Sequence, residues 1–323
     1  LAKKKTYYAR IRAYRVLDGK KYYSDWSSVS SVKKTKKASV ARVKKKKKDF
    51  EIRGQAKQAL YQYDTVQGSC TDGTYGYYIL YNRKVSDCKI AKVKLSNMKV
   101  VKVSGALPVA HGNDMTYNSS KKRLIVVHST GKAKRLSVVN PQTLKLETSK
   151  DVKIPSQLSG ASASDVKGIT AFTGISYNSK RKQYAVLLSK TYNILVLDSE
   201  MEPVSLIKTT KKNNYTFQGI DTTDDHILVA QSPKGKNKYN IISVYDWEGK
   251  YISKIQLMKG YEIESLYHVG SKYYASFYRS YNKTYYKTKK KVVKVKGKKK
   301  VKKVRVKCKK VMRDNYIYRI TGF

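Results

Sequence analysis

A single pattern recurs five times from residue 67 onward, and any fold for this chain has to explain the recurrence. The first copy runs Gln67-Gly68-Ser69-Cys70, YGYYILYN, CKIAKVKL and KVVKVSG. The second runs His111-Gly112-Asn113-Asp114-Met115, RLIVVHS, RLSVVNP and LKLETSK. The third runs Thr173-Gly174-Ile175-Ser176, QYAVLLS, NILVLDS and PVSLIKT, and the fourth Gln218-Gly219-Ile220-Asp221, HILVAQS, NIISVYD and KYISKIQL. The fifth opens at Glu262-Ile263-Glu264-Ser265, continues KYYASFYRS and ends NYIYRI. With Gly68, Gly112, Gly174, Gly219 and Ile263 taken as equivalent, the spacings are 44, 62, 45 and 44 residues, and the long one holds the Ser/Gly/Ala-rich insertion PSQLSGASASDVKG.

Four short strand-like segments per copy, restarting on a common motif, are the mark of a β-propeller, in which each repeat is a four-stranded blade packed face to face with the next. A β-sandwich also has many short strands but does not restart at near-constant spacing. The fold class expected is therefore all-β, a five-bladed β-propeller over residues 57–323. Hydrophobic residues make up 40 % of the chain and tyrosines number 29, too apolar a composition for a wholly disordered chain. Pairs such as Tyr77-Tyr78 and Tyr273-Tyr274 place one ring on each sheet face. The fifth copy has too few strands of its own. Tyr316 to Ile320 would supply its third, and Phe50 to Arg53 or Leu60 to Tyr63 its fourth.

The formal charge is +48, and two acid-free stretches carry much of it: ten Lys/Arg over residues 33–48 and seventeen over 283–313. Like charges at this density oppose compaction and belong in linkers or on solvated ribbons. Residues 37–56 have no sustained apolar face and read as a Lys-rich linker. The second run alternates valine with lysine on both sides of Lys296-Gly297-Lys298, which predicts a β-hairpin over about 284–311 with one apolar and one basic face. Lys294, Lys296, Lys298, Lys302, Arg305 and Lys307 are the candidates there for holding an anionic polymer, since ammonium groups bind phosphate as point charges without fixed geometry.

In a propeller the first strand of each blade lines the axis, so residues near each repeat start converge. Gln67, His111, Asn113, Asp114, Thr173, Gln218, Asp221, Glu262 and Glu264 form the expected channel set, suited to a polar ligand, a cation or ordered water. The plainer alternative is that these groups satisfy backbone donors between blades. Asp114, Asp221 and Glu264 are the carboxylates available for paired acid and base chemistry of the glycosidase type, although no catalytic motif surrounds them. His128, His226 and His268 read as satisfied sheet residues. No phosphate-cradling glycine loop, HExxH or nucleophile elbow is present. No cofactor is expected, with a channel cation such as calcium the one candidate. Cys70 and Cys88 stand as a disulfide candidate or as two buried thiols, and no run of about 18 uncharged apolar residues offers a membrane span.

Two resemblances add to this. The Leu1…Tyr7 spacing, the YYARIRAY run and DWSS resemble the last strands of a fibronectin type III domain, which implies a truncated module over residues 1–36. Together with phrases such as TVQGSCTDGTYGYYILYN and HGNDMTYNSSKKRL, this is similar to multidomain exported proteins of Gram-positive Firmicutes that place such modules before a five-bladed propeller. That resemblance implies an extracellular, cell-surface or cell-wall location and a binding or adhesive role. The partner expected is an anionic wall polymer or glycan, with a host or surface protein as a further candidate. A glycan-processing hydrolase at the channel and non-specific nucleic-acid binding are the alternatives.

Overall fold

The computed structural model describes residues 6–33, 50–52, 58–129, 133–210, 214–234, 238–295 and 298–320. Most of the expected linker, and the Lys296-Gly297 turn of the hairpin, lie outside the described residues. The chain divides into two compact units, Leu1–Ala41 and Arg42–Phe323.

In the first unit β1 (Thr6–Ala9) pairs antiparallel with β4 (Ser30–Lys33), and β2 (Tyr14–Leu17) pairs with β3 (Lys20–Tyr23). Asp18 and Gly19, both at positive φ (47° and 75°), close the β2–β3 hairpin with the geometry that matches strand twist. Tyr8, Tyr14 and Trp26 are exposed.

Among the described residues, the second unit contains five four-stranded antiparallel sheets. Four are simple meanders. The first is β6 (Thr65–Thr71), β7 (Tyr75–Asn82), β8 (Asp87–Lys94) and β9 (Lys99–Val103). The second is β10 (Asp114–Asn118), β11 (Arg123–Val127), β12 (Arg135–Val139) and β13 (Leu146–Asp151). The third is β14 (Phe172–Asn178), β15 (Gln183–Leu188), β16 (Ile194–Leu197) and β17 (Pro203–Ile207), preceded by the short helix α1 (Ala163–Gly168) in the long insertion. The fourth is β18 (Tyr215–Thr222), β19 (Ile227–Pro233), β20 (Tyr239–Tyr245) and β21 (Tyr251–Lys259). The last sheet is β22 (Glu262–Val269), β23 (Lys272–Val295), β24 (Lys298–Ile320) and, from far upstream, β5 (Phe50–Glu51). Of the two segments proposed from sequence for this closing strand, the first supplies it through Phe50 and Glu51, opposite Ile317 and Tyr316, while Arg53 lies outside the described residues. Leu60 to Tyr63 forms a turn whose Leu60 and Tyr63 are buried beneath the sheet instead.

The first strands touch in order, β6 to β10 to β14 to β18 to β22, and β22 returns to β6. Core clusters fill the gaps between successive sheets. One joins Tyr77, Ile79 and Ile90 to Leu124 and Val126, and the next joins Ile125 and Val127 to Phe172 and Val186. Another joins Tyr78 and Leu80 to Tyr267 and Ile317 across the closure. Tyr77 and Tyr78 thus serve opposite faces of one strand, as expected. This is the arrangement of a β-propeller. The inner strands β6 and β14 read as near-continuous buried runs because both their faces are covered, whereas the fourth strands β9 and β13 hold no buried residue.

In the first, third, fourth and fifth copies the repeat-start motif carries a β-bulge. Register shifts by one residue between Val66 and Ser69, Phe172 and Gly174, Phe217 and Ile220, and Ile263 and Ser265. In the fifth copy pairing resumes at Ser265, so Glu264 rather than Ile263 occupies the position of Gly68 and Gly219. Glycine is required at those two because the next inner strand's backbone passes so close: a Cβ on Gly68 would lie 2.5 Å from Asp114 Cα, and one on Gly219 2.7 Å from Ser265 Cα.

Of the two readings open for Cys70 and Cys88, the structure has the two buried free thiols and not the disulfide. They sit on β6 and β8 with β7 between them, opposite Tyr77 and Tyr81 respectively. Two strand spacings and four residues along the strand separate them by more than ~10 Å, beyond the ~7 Å that a disulfide can bridge. The Lys-rich hairpin lies within the fifth sheet, between its second and third strands, with β23 and β24 continuing without interruption from the sheet into it.

Gly68→Ala is expected to lower the unfolding midpoint by several degrees, since overpacking against fixed backbone costs about 1–3 kcal/mol or more. Gly105→Ala, whose Cβ meets nothing within 4 Å, is expected to leave the midpoint within a degree or so of the parent. Thermal melts of the two variants check this, and equal midpoints would count against the close approach of the inner strands.

Candidate functional site

Asp114 is fully buried at the meeting point of the inner strands. Its Oδ2 accepts the backbone N–H groups of Ile175 and Ile220, each at 3.1 Å, and its Oδ1 accepts the Ser265 hydroxyl at 2.7 Å. Ser265 Oγ in turn accepts the Ser69 N–H at 3.1 Å and lies 3.3 Å from the Ser69 carbonyl. One carboxylate on β10 therefore ties together β14, β18, β22 and, through Ser265, β6. Two residues further along, Thr116 Oγ1 accepts the Tyr177 N–H at 2.8 Å, so neighbouring inner strands run in the same direction.

Burial pushes the Asp114 carboxyl up to about 8, against the lowering effect of the hydrogen bonds from Ser265, Ile175, Ile220 and Met115. The network accommodates both protonation states. When Asp114 is ionised, Ser265 Oγ donates to it; when protonated, Asp114 can donate to Ser265 Oγ, which turns toward the Ser69 carbonyl.

The N-terminal ends of the inner strands gather a second polar group. Gln218 Nε2 donates to Glu262 Oε1 at 2.8 Å and to Ser232 Oγ at 3.0 Å. Asn113 Nδ2 donates to the carbonyls of Thr173 (2.6 Å) and Gln218 (3.3 Å), and Gln67 Nε2 to that of Val66 (2.8 Å). Glu264 is buried, and burial together with the neighbouring Glu262 carboxylate raises its pKa, partly offset by Arg83. Burial raises Glu262 as well. His111 stacks on Tyr81 with ring centres 4.4 Å apart, and burial, reinforced by Arg83, lowers its pKa.

Asp221 lies elsewhere, near the C-terminal end of β18. Its Oδ2 is 2.7 Å from Nδ1 of His268, an interaction that raises the imidazole pKa. His268 lines a cleft of about 410 Å³ with Asn178, Thr222, Asp224, Asp225 and Tyr273. Of the three carboxylates singled out as an acid–base set, Asp114 is enclosed at the hub, Glu264 sits beside Glu262, and Asp221 pairs with a histidine toward the opposite end. His128, by contrast, is buried just past the end of β11 and bonded to Ser137 at 2.6 Å. Sequence reasoning missed Ser265, Arg83 and the His268–Asp221 pair. Ser265 was signalled by its offset in Glu262-Ile263-Glu264-Ser265, which matches Ser69 after Gly68; Arg83 sits in a turn that only topology brings near the axis.

Among the described residues, no group of three or more His, Cys, Asp or Glu side chains is placed to hold a metal ion, and no helix is long and apolar enough to cross a membrane. The basic candidates divide. By register Lys302 falls on one face of the β23–β24 ribbon and Arg305 and Lys307 on the other. Lys296 lies outside the described residues, and Lys294 and Lys298 are placed by backbone register alone. Lysines on both faces correct the expectation of one apolar and one basic face.

No family model matches the chain, and no curated protein matches it. Among solved structures it is similar to a glutaminyl cyclase of Myxococcus xanthus, at 8 % identity and TM-score 0.49, over 67 % of this chain and 87 % of that one. It is similar to the tail fiber of Staphylococcus aureus phage P68 at 13 % identity and TM-score 0.47, over 79 % of this chain and 50 % of that one. A third is the β-propeller domain of Myceliophteria thermophila Cps50 (Swd1), at 13 % and 0.37, over 67 % and 64 %. The chain thus spans about half the length of the tail fiber chain. These likenesses are too distant to assign a ligand or an activity.

Linkage gives a sign for Asp114. Its carboxyl binds a proton more tightly in the folded chain (pKa about 8) than unfolded (3.8), so its contribution to stability is largest at low pH and declines as pH rises toward 8. Asp114→Asn can keep its carbonyl toward the two amides and its NH2 toward Ser265 Oγ. The stability difference between parent and Asp114→Asn is therefore expected to move in the variant's favour between pH 4 and pH 8 and to level off above. Asp114→Ala strands three donors and is expected to lose several kcal/mol throughout. Chemical denaturation at stepped pH checks both, and a pH-independent difference would show that Asp114 does not titrate in this range.

Proposed function

We propose that this chain is a binding module: a five-bladed β-propeller, following the last strands of a fibronectin type III domain, that holds anionic polymer through its basic ribbon. The observation that carries the reading is the ribbon itself. Beyond Ser280 and Arg313 the two strands run on for fifteen cross-strand pairs, from Tyr281 opposite Met312 to Val295 opposite Lys298, a reach of about 50 Å. No acidic residue lies in residues 283–313. A closed ring, with its hub carboxylate enclosed, supports a scaffold role for the body. Wall polymer or acidic glycan at the cell surface is the partner that the sequence resemblance suggests, and lysine suits phosphate-bearing chains.

A hydrolytic reading has one observation in its favour, the His268–Asp221 pair on the cleft, since a carboxylate-held imidazole is the base half of many catalytic sites. The binding reading expects no turnover of a polysaccharide panel. Turnover that vanishes in Asp221→Asn would replace it.

Co-sedimentation of the full chain with purified wall polymer is expected to be strong at low ionic strength and to weaken more than about tenfold between ~50 and ~200 mM salt, because several lysine contacts release counterions together. Replacing residues 283–310 by a short turn is expected to remove most of that retention. Salt-independent retention, or full retention without the ribbon, would sink the reading.

A further inference from the structure

The register of the ribbon divides its charges between two faces, with one row of cations on each. Antiparallel partners share a face, and alternate residues along a strand return to it. On one face Lys287, Lys289 and Lys291 follow one another along β23, while the β24 residues opposite the first two are Val306 and Val304. On the other face Lys303, Arg305, Lys307 and Lys309 follow one another along β24, and opposite the last three stand Thr288, Tyr286 and Thr284. Toward the tip the pattern is less strict, since Lys302, Lys300 and Lys298 join the first face from β24 and Lys290 and Lys294 join the second from β23, so each face carries its own set of cations and the two rows lie on opposite strands as well as opposite faces. All seven side chains of the two rows are exposed, and among the described residues none is in an ion pair with a carboxylate.

Within a row the charges stand about 6.7 Å apart, two residues of strand rise. Between rows the side chains project to opposite sides, so the charged heads are separated by roughly 10 Å or more, beyond the ~8 Å over which exposed charges interact at physiological salt. Twist carries both rows around the ribbon as helical stripes that stay on opposite sides along its length. A flexible polyanion lying along one row neutralises it without reaching the other.

We infer that the ribbon is a two-sided cross-bridge, in which each row takes its own linear phosphate polymer and one molecule joins two chains. The inference rests on the polymer-holding reading above and adds that the ribbon has two independent sites.

The test uses the full chain with long-chain inorganic polyphosphate as probe, reading binding by sedimentation and bridging by light scattering across protein-to-polymer ratios. The parent is expected to bind and to scatter, with a maximum at intermediate ratio. A variant with Lys283→Gln, Lys287→Gln, Lys289→Gln, Lys291→Gln, Lys298→Gln, Lys300→Gln, Lys302→Gln and Lys310→Gln, clearing one face, and another with Lys290→Gln, Lys294→Gln, Lys299→Gln, Lys303→Gln, Arg305→Gln, Lys307→Gln and Lys309→Gln, clearing the other, are each expected to stay bound at low salt within about tenfold of the parent. Each is expected to have a shallower salt dependence and to scatter no more than polymer alone. Combining the two sets is expected to abolish binding by the ribbon. Either single-face variant scattering like the parent, or one face's removal abolishing binding while the other's changes nothing, would overturn the two-site ribbon. A parent that binds without scattering would also overturn it and leave polymer holding intact, whereas a parent that does not bind at all would sink the polymer-holding reading itself.

Discussion

The ring depends on how its inner strands satisfy one another at close quarters. Where five strands converge, there is no further strand to accept the amides that face the axis, and buried N–H groups without partners are costly. Asp114 meets that demand with two oxygens. One takes the amides of Ile175 and Ile220, and the other takes Ser265, which continues to Ser69. A buried carboxylate is itself unfavourable, and here it is tolerable because donors from three strands point at it. Gly68 and Gly219 belong to the same solution, since only residues without a Cβ let neighbouring backbones come so near.

The rest of the molecule follows a gradient outward from that hub. Inner strands are buried on both faces, fourth strands are partly wet, and β23 and β24 leave the sheet altogether to form a ribbon open to solvent on both faces. Dense lysine makes such a structure tolerable, because unpaired strand edges invite association and like charge prevents it. The charge that keeps the ribbon from pairing with other ribbons is also what suits it to a polyanion, so edge protection and polymer holding draw on the same side chains.

The five copies, the alternation in each and the strand that closes the last sheet were legible because strand periodicity and turn chemistry are local properties. The repeat-start motif was visible as a polar, glycine-bearing phrase, and its nature as a bulge was not, because a bulge is defined by the partner strand. The same limit misplaced the fifth copy by one residue at Ile263. Separation along the chain left Cys70 and Cys88 open to a disulfide or to two buried thiols, and the intervening strand β7 decides for the thiols. The apolar face expected of the ribbon came from Val304 and Val306 read on their own strand; the opposite partners Lys289 and Lys287 share that face.

Sequence alone determined that this chain builds repeated antiparallel sheets and concentrates much of its charge in two segments, one early and one late, since both follow from residue order over a few tens of positions. Tertiary structure decided which polar groups meet. Asp114, Asp221 and Glu264 looked equivalent as carboxylates near repeat starts, yet a shift of a few residues along parallel inner strands sends one to the hub, one to a histidine by a cleft and one beside another carboxylate. Ring closure turns small differences in position along a strand into different neighbours, and no local pattern encodes which neighbour that will be.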